Sequence, residues 1–551
     1  MSVVQVPRSS QEQQPSLSVK YPPLRLLLLC ALLLISVALY LLLGALALPH
    51  DEYIMPFLLT WTLCFLPYLA ACAFVLTTSP STAQWRGMEV SVILLGAFIF
   101  RVMLLPQMPW LSHDSWRYLW DARIILHGYS PYVYPPNSEI LKPLRDALIY
   151  GNSGFLDVPT VYPPVAQGVY VLSYLLAPSN LFVLKTIFIC LDMVTCAGLA
   201  LLLMRRGLDP RRVVIYAWCP LPIVEFAIEG HVDALTLTLI VLTLLCTSSS
   251  RRDTRIMRVL TGFLIALATL TKIYPILLLV VVVRRRDWAL LITCFATIVV
   301  AYIPFIILGH GQAFGFFSTY ASEQRQNAGV VPLVVHWITY DNLRLNDQVT
   351  VLVQYCVDLL VVGTVVMVVL IKQGSVQLQK LVVKAIVRIS TFTVGRPTRG
   401  LPGRAKQCPA PSAPYEGARM HPCYDEEDIS LRSLWFLRGS ISMESAALVL
   451  IGTIYAVSTH IFPWYTPVLL LWVPLLAGPL WTSRGLSGKG VAVAAVWYFV
   501  CTSLLGYFFR NTLDWTLYYI FVYGIVVVAL GVTAVIAVVG GSPLHSSSHN
   551  D

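Results

Sequence analysis

The stretch LLLLCALLLISVALYLLLGALAL, Leu26–Leu48, contains no charged residue and no proline. A helix needs about 20 mostly apolar residues to cross the hydrocarbon core of a bilayer, and this stretch is long enough. It is also too long for the apolar core of a signal peptide, and no convincing small-residue cleavage site goes with it. It therefore predicts a retained first transmembrane helix, preceded by a cytoplasmic tail over residues 1–25.

The rest of the chain shares this apolar character. Hydrophobic residues make up 57% of the 551 residues and charged residues 12%, and the mean hydropathy is +0.72. A soluble domain carries about 25% charged residues. We therefore predict an all-α polytopic membrane protein of about 12 transmembrane helices plus short re-entrant or interfacial helices. The predicted spans are 26–48, 53–77, 88–105, 181–204, 213–229, 232–248, 288–308, 348–371, 442–460, 462–481, 490–508 and 515–540.

The net charge of +10 indicates membrane topology rather than nucleic-acid binding, because the basic residues cluster in short loops and one long insert. Three arginine clusters are expected on the cytoplasmic side: Arg205–Arg212, Arg251–Arg258 and Arg284–Arg286. All three reach that side only if residues 165–178 do not cross. Residues 259–283, interrupted by Lys272 and Pro275, must then form a hairpin that returns to its own side.

This topology divides the chain into a membrane domain (26–371), a cytoplasmic insert (372–440), C-terminal membrane helices (441–541) and a cytoplasmic tail (542–551). It places the large first loop, 106–164, on the outer side. Four other polar segments are predicted on that side: Gly230–Asp233, 309–347, His460–Tyr465 and Arg510–Asp514.

No catalytic role is predicted for the insert or for the cysteines. Gln377–Ser390 predicts a basic amphipathic helix on the inner leaflet, and Val394–Met420, rich in Pro, Gly and Arg, predicts disorder. The 12 cysteines form no C-x-x-C pair, so neither a disulfide framework nor a zinc site is predicted. No N-x-S/T acceptor occurs, which favours a bacterial plasma membrane over the endoplasmic reticulum.

A polar, acid-bearing segment, SHDSWRYLWDAR (Ser112–Arg123), lies in the outer loop. If Ser115–Gly128 is a helix, Asp114, Arg117 and Asp121 share one of its faces. A partly desolvated carboxylate there is a candidate general base. The alternative is an interfacial amphipathic helix with its aromatic side towards the lipid and internal ion pairs between its charges.

Proline and tyrosine then recur together in Ser130-Pro-Tyr, Tyr134-Pro-Pro and Tyr162-Pro-Pro. Such pairs favour extended or turn backbone. They predict either a rigid aromatic rim, whose flat faces suit sugar rings, or ordinary loop geometry.

Three later segments also carry polar groups between apolar runs. Glu229-Gly-His-Val-Asp233 is either a helix cap or part of a site. Lys272, in Thr271-Lys-Ile-Tyr-Pro275, requires a partner: a lipid phosphate, a set of helix carbonyls or a carboxylate. His460-Ile-Phe-Pro-Trp-Tyr465 is either an interfacial aromatic belt or a wall of the same cavity.

Taken together, these segments resemble the GT-C superfamily of polytopic glycosyltransferases, in particular bacterial polyprenol-phosphate-mannose-dependent mannosyltransferases. The matching pieces, in family order across about residues 88–510, are HDSWRYLWDAR, GYSPYVYPP, TVYPPVAQ, EGHVDAL, TKIYP and FPWY. The resemblance implies a GT-C helical bundle with a catalytic first outer loop. It also implies that Asp114 is the base on the acceptor hydroxyl. Where the family often has two adjacent acids, this chain has His113-Asp114.

The implied donor is a polyprenyl-phosphate hexose, mannose by resemblance, transferred with inversion to a glycolipid or glycan acceptor. No cofactor, metal or nucleic acid is expected. His113 and Asp233 join Asp114 as candidate catalytic residues. The candidate substrate-binding residues are Arg117, Tyr118, Trp120, Asp121, Tyr134, Tyr162, His231, Lys272, Tyr274, Trp464 and Tyr465, of which Lys272, Arg117 and His231 are the candidate phosphate contacts. The alternative functions are a transporter or flippase and a polymerase or ligase of lipid-linked glycans.

Overall fold

The computed structural model describes residues 22–48, 50–78, 82–284, 286–314, 329–332, 359–369, 441–458, 460–483, 485–511 and 515–539. The predictions for the insert 372–440 and the tail 542–551 lie outside these residues, as do residues 1–21 of the N-terminal tail and most of the span 348–371. The described chain is almost wholly helical, apart from a short antiparallel pair, Trp481–Thr482 with Gly485–Leu486.

The helices of the N-terminal part are α1 (Pro22–Leu46), α2 (Asp51–Leu63), α3 (Phe65–Thr77), α4 (Ala83–Leu104), α5 (Asp114–Leu126), α6 (Pro164–Leu176), α7 (Leu181–Arg205), α8 (Val214–Ala217), α9 (Pro220–Ala227), α10 (Asp233–Thr247), α11 (Arg255–Thr269), α12 (Leu278–Val282) and α13 (Trp288–Leu308). Short 3₁₀ helices lie at Glu139–Leu144, Tyr150–Asn152, Pro210–Val213 and Tyr274–Leu277.

The remaining described helices are α14 (Leu359–Val369), α15 (Met443–Val457), α16 (Pro467–Leu470), α17 (Val473–Leu476), α18 (Gly488–Thr502), α19 (Leu505–Asn511), α20 (Trp515–Tyr518) and α21 (Ile525–Val539). A 3₁₀ helix at Pro463–Tyr465 precedes α16, and a π-helical segment, Tyr519–Gly524, precedes α21.

Six helical segments among the described residues are long and apolar enough to cross a membrane: Pro23–Leu46, Glu52–Thr77, Ala83–Leu104, Leu181–Arg205, Trp288–Leu308 and Tyr519–Ile536. Only 11% of the most apolar part of α13 is buried inside the protein, as expected of a helix that faces lipid. The chain is therefore a multi-pass, all-α membrane protein, as predicted. The described residues do not confirm the predicted count of about 12 spans.

Several of the predicted spans are not single long helices, and prolines divide two of them. Residues 213–229 divide into α8 and α9 around Trp218 and Cys219, and residues 462–481 divide into several short helices. Proline explains both differences, since it removes a backbone donor and clashes with the carbonyl four residues earlier. Pro220 and Pro222 interrupt the first segment, and prolines recur through the second.

The segment 259–283 returns to the end at which it began, as the charge pattern predicts. It runs along α11, breaks after Thr269 and comes back through α12. Near the start of α11, the side chain of Arg258 donates to Val282 O at 3.1 Å and forms an ion pair with Asp287. The tip of this hairpin, which carries Lys272, therefore lies at the opposite end of the bundle from the arginine clusters.

The core joins these helices closely. Helices α7, α10, α11 and α13 pack in succession, and a Cβ atom on Gly262 of α11 would lie 2.3 Å from the backbone oxygen of Leu290 in α13. Between α4 and α7, Arg101 forms a fully buried ion pair with Asp192, 2.5 Å apart. Because an unpaired buried charge is costly, this pair ties the two helices together.

Candidate active site

Asp114 begins α5, and the residues before it hold it in place. Its backbone N–H donates to Ser112 Oγ at 3.2 Å, and the N–H of Ser112 donates to Glu229 Oε2 at 3.0 Å. The carboxylate itself accepts a hydrogen bond from Tyr162 OH at 2.8 Å, and its side chain remains 12% exposed. A carboxylate at the first turn of a helix is also favoured by the helix dipole. Asp114 is thus oriented and still accessible.

The electrostatic setting of Asp114 suits a base. Burial raises the pKa of this carboxyl above its usual value, while the hydrogen bond from Tyr162 and the positive charge of Lys272 oppose the rise. A general base works best when its pKa approaches the working pH, and burial moves the pKa in that direction.

His231 lies behind Asp114 in the turn between α9 and α10. Gly230, with a φ of 71°, makes the turn possible. The Nδ1 atom of His231 is 3.8 Å from Asp114 Oδ2, and its Nε2 atom is 3.3 Å from Glu225 Oε2. Burial, together with Lys272, holds the pKa of His231 well below its usual value. The imidazole is therefore neutral at physiological pH.

Lys272 reaches the same cluster from the tip of the hairpin. Its Nζ atom lies 2.7 Å from Asp233 Oδ1 and 3.9 Å from the ring centre of Tyr465. The side chain of Lys272 is 15% exposed. Of the three partners considered for Lys272, the structure shows a carboxylate, with a cation–π contact added. The hydroxyl group of Tyr274 is buried close by and finds no hydrogen-bond partner among the described residues.

An aromatic wall completes the cluster. Trp464 stacks on His231, with ring centres 4.3 Å apart and planes 7° apart, and Phe462 stacks on the other side of Trp464 at 4.5 Å. The segment His460–Tyr465 therefore packs against the same cluster, and its predicted role as the wall of a cavity stays a prediction. Tyr118 joins from α5, where its hydroxyl donates to Tyr162 OH at 3.2 Å.

Arg117 and Asp121 form an internal ion pair at 2.9 Å, which was the alternative interpretation of their spacing. Arg117 also donates to Phe155 O at 2.6 Å and to Val158 O at 2.9 Å. Gln167 donates to the second oxygen of Asp121 at 3.1 Å. The pair thus fastens the outer loop and α6 onto α5.

The prediction of an interfacial, amphipathic α5 is wrong. Residues 114–124 of α5 are buried on every side, because α6, α7 and the 3₁₀ helices of the outer loop cover it. Periodicity shows which residues share a face, but it does not show that a long loop folds back over the polar face.

Three predicted site residues lie away from the cluster. Trp120 is fully buried against Tyr150, and Tyr134 packs edge-on against Tyr129. His113 is exposed and its Nδ1 atom lies 2.9 Å from Asn152 O. The remaining predicted residues come together as described above.

Sequence reasoning missed Glu225. This carboxylate is fully buried in α9, next to His231, and accepts a hydrogen bond from Tyr507 OH at 3.1 Å. Its signal was an acid within the apolar run PLPIVEFA, since intramembrane charges are rare and functional. Among the described residues, no group of three or more His, Cys, Asp or Glu side chains is placed to hold a metal ion.

Part of the chain matches a known protein family. Residues 160–391 match the family model of Glycosyltransferase family 87. The matched segment includes Tyr162, His231, Asp233 and Lys272, whereas Asp114 precedes it. No curated protein matches the chain. The resemblance and the enzyme class expected from the sequence are therefore confirmed: the chain is a glycosyltransferase whose residues 160–391 match family 87, a family of GT-C type membrane glycosyltransferases.

Proposed function

We propose that this enzyme transfers a hexose, mannose by resemblance, from a polyprenyl-phosphate carrier to a glycolipid or glycan acceptor, with inversion at the anomeric carbon. The observation that carries the proposal is the presence of one partly exposed carboxylate, Asp114, and one partly exposed cation, Lys272, in a cluster bordered by aromatic side chains. Such a donor supplies its own leaving group, so the site needs a base, a cation and a sugar platform.

In this proposal Asp114 Oδ2 removes the proton from the acceptor hydroxyl as that oxygen bonds to the anomeric carbon. The bond between the anomeric carbon and the phosphate oxygen breaks, and its electron pair leaves with the phosphate. Lys272 stabilises the negative charge that develops there. A single base opposite the leaving group produces inversion, by the geometric logic of inverting glycosidases.

The other side chains of the cluster have supporting parts. Tyr162 orients the carboxylate of Asp114, and Asp233 holds Lys272 at the cavity. The faces of Trp464 and Tyr465 offer flat apolar surfaces to a sugar ring. Arg117 and Asp121 contribute by fixing the outer loop rather than by touching substrate.

The proposed location is a bacterial plasma membrane with the site on the outer face. This orientation is supported by the arginine clusters. They lie at the end of the bundle where α11 begins and α10 ends, whereas Asp233 and Lys272 lie at the other ends of these helices. Each of the two helices has 15 residues, or about 22 Å of rise.

The test is a transfer assay with purified protein, polyprenyl-phosphate-mannose radiolabelled in the sugar, and a membrane-lipid extract as acceptor. We expect labelled product from the wild type and a loss of at least about 100-fold for Asp114→Asn, which removes the base at nearly constant volume. Undiminished turnover by Asp114→Asn would remove Asp114 from the proposed role. Transfer from polyprenyl-phosphate-glucose or -arabinose alone would reassign the sugar. Transfer only from a lipid-diphosphate oligosaccharide would favour a polymerase or ligase.

A further inference from the structure

Glu225 is a buried acid that the proposed chemistry does not use. Its side chain is fully buried in α9, and among the described residues no lysine or arginine lies within 4.0 Å of it. A buried carboxylate without a cation is costly to maintain. Its polar contacts are Tyr507, which donates to Oε1 at 3.1 Å, and His231, whose Nε2 atom lies 3.3 Å from Oε2.

His231 connects this buried acid to the catalytic one. Its Nε2 atom lies 3.3 Å from Glu225 Oε2 and its Nδ1 atom lies 3.8 Å from Asp114 Oδ2, and neither ring nitrogen forms a hydrogen bond with a described residue. The ring cannot easily tilt, because it is stacked on Trp464. Three groups that can each carry a proton are thus aligned from the cavity towards the protein interior.

The side chains of the three groups differ in solvent exposure. The side chain of Asp114 is 12% exposed, whereas those of His231 and Glu225 are 0% exposed. In this structure a substrate can therefore touch Asp114 but neither of the other two. His231 and Glu225 lie behind the carboxylate, where they can act only through it.

We propose that Glu225 is a positioning residue that acts through His231: it accepts the Nε2–H, turns the Nδ1 lone pair towards Asp114, and takes up the Nε2 proton when His231 receives the proton removed from the acceptor. This inference rests on the proposed function, since it assigns the fate of the proton that the transfer releases. The 3.3 Å separation closes by a small movement, and the 3.8 Å separation closes by a small movement or through one water, as is common for catalytic hydrogen bonds in ligand-free enzymes.

The acceptor O–H bond breaks and its proton moves to Asp114 as the glycosidic bond forms and the phosphate leaves. The proton then passes from Asp114 to Nδ1 of His231, and the Nε2 proton passes to Oε2 of Glu225. Asp114 is again a carboxylate, and return of the proton to water as products leave resets the pair.

The kinetic test compares Glu225→Gln with Glu229→Gln in the transfer assay. Glutamine still accepts the Nε2–H but does not accept a proton. We expect Glu225→Gln to lower kcat about 10-fold, to leave both KM values within about twofold, and to raise the solvent isotope effect on kcat. Tyr507→Phe, which removes the hydrogen bond to Glu225, should move the same parameters in the same direction by less.

Glu229 is the matched control, because it is equally buried four residues further along the chain but accepts from the backbone of Ser112 rather than lying against His231. Any loss in Glu229→Gln should therefore come without a change in the isotope effect. An unchanged isotope effect in Glu225→Gln, or the same change in Glu229→Gln, would overturn the relay.

Infrared titration of the resting enzyme separates this inference from the proposed function. The band lost in Glu225→Gln identifies the Glu225 carboxyl, and we expect His231→Gln to shift that band without any donor present. A band that does not respond to His231→Gln would contradict the pairing. A shifted band in a wild-type enzyme that transfers sugar from no tested donor would instead refute the proposed function, and the relay role with it.

Discussion

Arg211 is a buried cation and Lys272 a partly buried one, at opposite ends of the bundle, and their surroundings differ. Arg211 is 0% exposed, and its guanidinium donates to Asp209, to Glu89 at 2.6 Å and to Thr78 O at 2.7 Å. Lys272 is 15% exposed and pairs with one oxygen of Asp233. The second oxygen of Asp233 finds no hydrogen-bond partner among the described residues.

The contrast shows how a charged side chain that stabilises the fold differs from one with hydrogen-bonding capacity left for a ligand. Every nitrogen of Arg211 already has a protein partner, so nothing remains for a substrate to bind. An ammonium group has three donors, and the ion pair with Asp233 occupies only part of that capacity. Lys272 and Asp114 are both partly exposed, at 15% and 12% of their side chains, so both remain open to a ligand.

Replacing Arg211 should have the largest effect on stability. Arg211→Met leaves Glu89 and Asp209 without their shared partner, which should lower the free energy of unfolding by about 3 kcal/mol. Thermal unfolding in detergent measures this loss. The transfer rate per folded molecule should stay near that of the wild type. A loss of rate without a loss of stability would contradict a purely structural role for Arg211.

Replacing Lys272 should have the opposite pattern. Lys272→Met should lower kcat/KM for the donor about 100-fold, because it removes the charge expected to stabilise the leaving phosphate. The KM for the acceptor should change by less than about twofold, as initial rates at varied acceptor concentration would show.

The double variant Lys272→Met with Asp233→Asn is the control for this change. It removes the stranded carboxylate charge, so it should recover thermal stability while the donor defect persists. Recovery of donor use as well would show that Lys272 serves the fold rather than the phosphate.

The pH dependence of transfer tests the role of Asp114. Because burial raises the pKa of this carboxyl, we expect the acid limb of kcat/KM to lie above the ordinary aspartate value of about 3.9. Transfer should fall as the pH drops through that raised pKa, since the base becomes protonated.

Stability should respond in the opposite direction at this residue. The folded state binds the Asp114 proton more tightly than the unfolded state, so its contribution to stability improves as the pH falls through the raised pKa. Asp114→Asn should abolish this contribution, which unfolding temperatures measured across pH would reveal. An acid limb at the ordinary carboxyl value would contradict the role of burial.

The smallest effect is expected from deleting residues 394–420. They begin after the segment that matches the glycosyltransferase family, which ends at residue 391, and they include none of the site residues. Transfer rate and unfolding temperature should both stay within error of the wild type. Loss of expression or activity would show that this Pro-, Gly- and Arg-rich segment does more than its composition predicts.

Much of the membrane architecture was predictable because it follows from local properties. A run such as Leu26–Leu48 must be helical in lipid, where every backbone donor and acceptor needs an internal partner. The arginine clusters likewise predicted that 259–283 folds back on itself, and the contacts of Arg258 show that it does. The division of 213–229 was harder to foresee, because hydropathy records the apolar run but not where prolines interrupt it.

The sequence alone was enough to predict a helical membrane protein. It also marked Asp114, His231, Asp233 and Lys272 as candidates for chemistry, because their residue types are costly in apolar surroundings. Which of these residues come into contact depends on how the helices pack in the tertiary structure. It pairs Arg117 with Asp121, buries Trp120, and brings Glu225 next to His231. Such contacts join residues far apart in the chain, and local patterns carry no information about which helices will pack together.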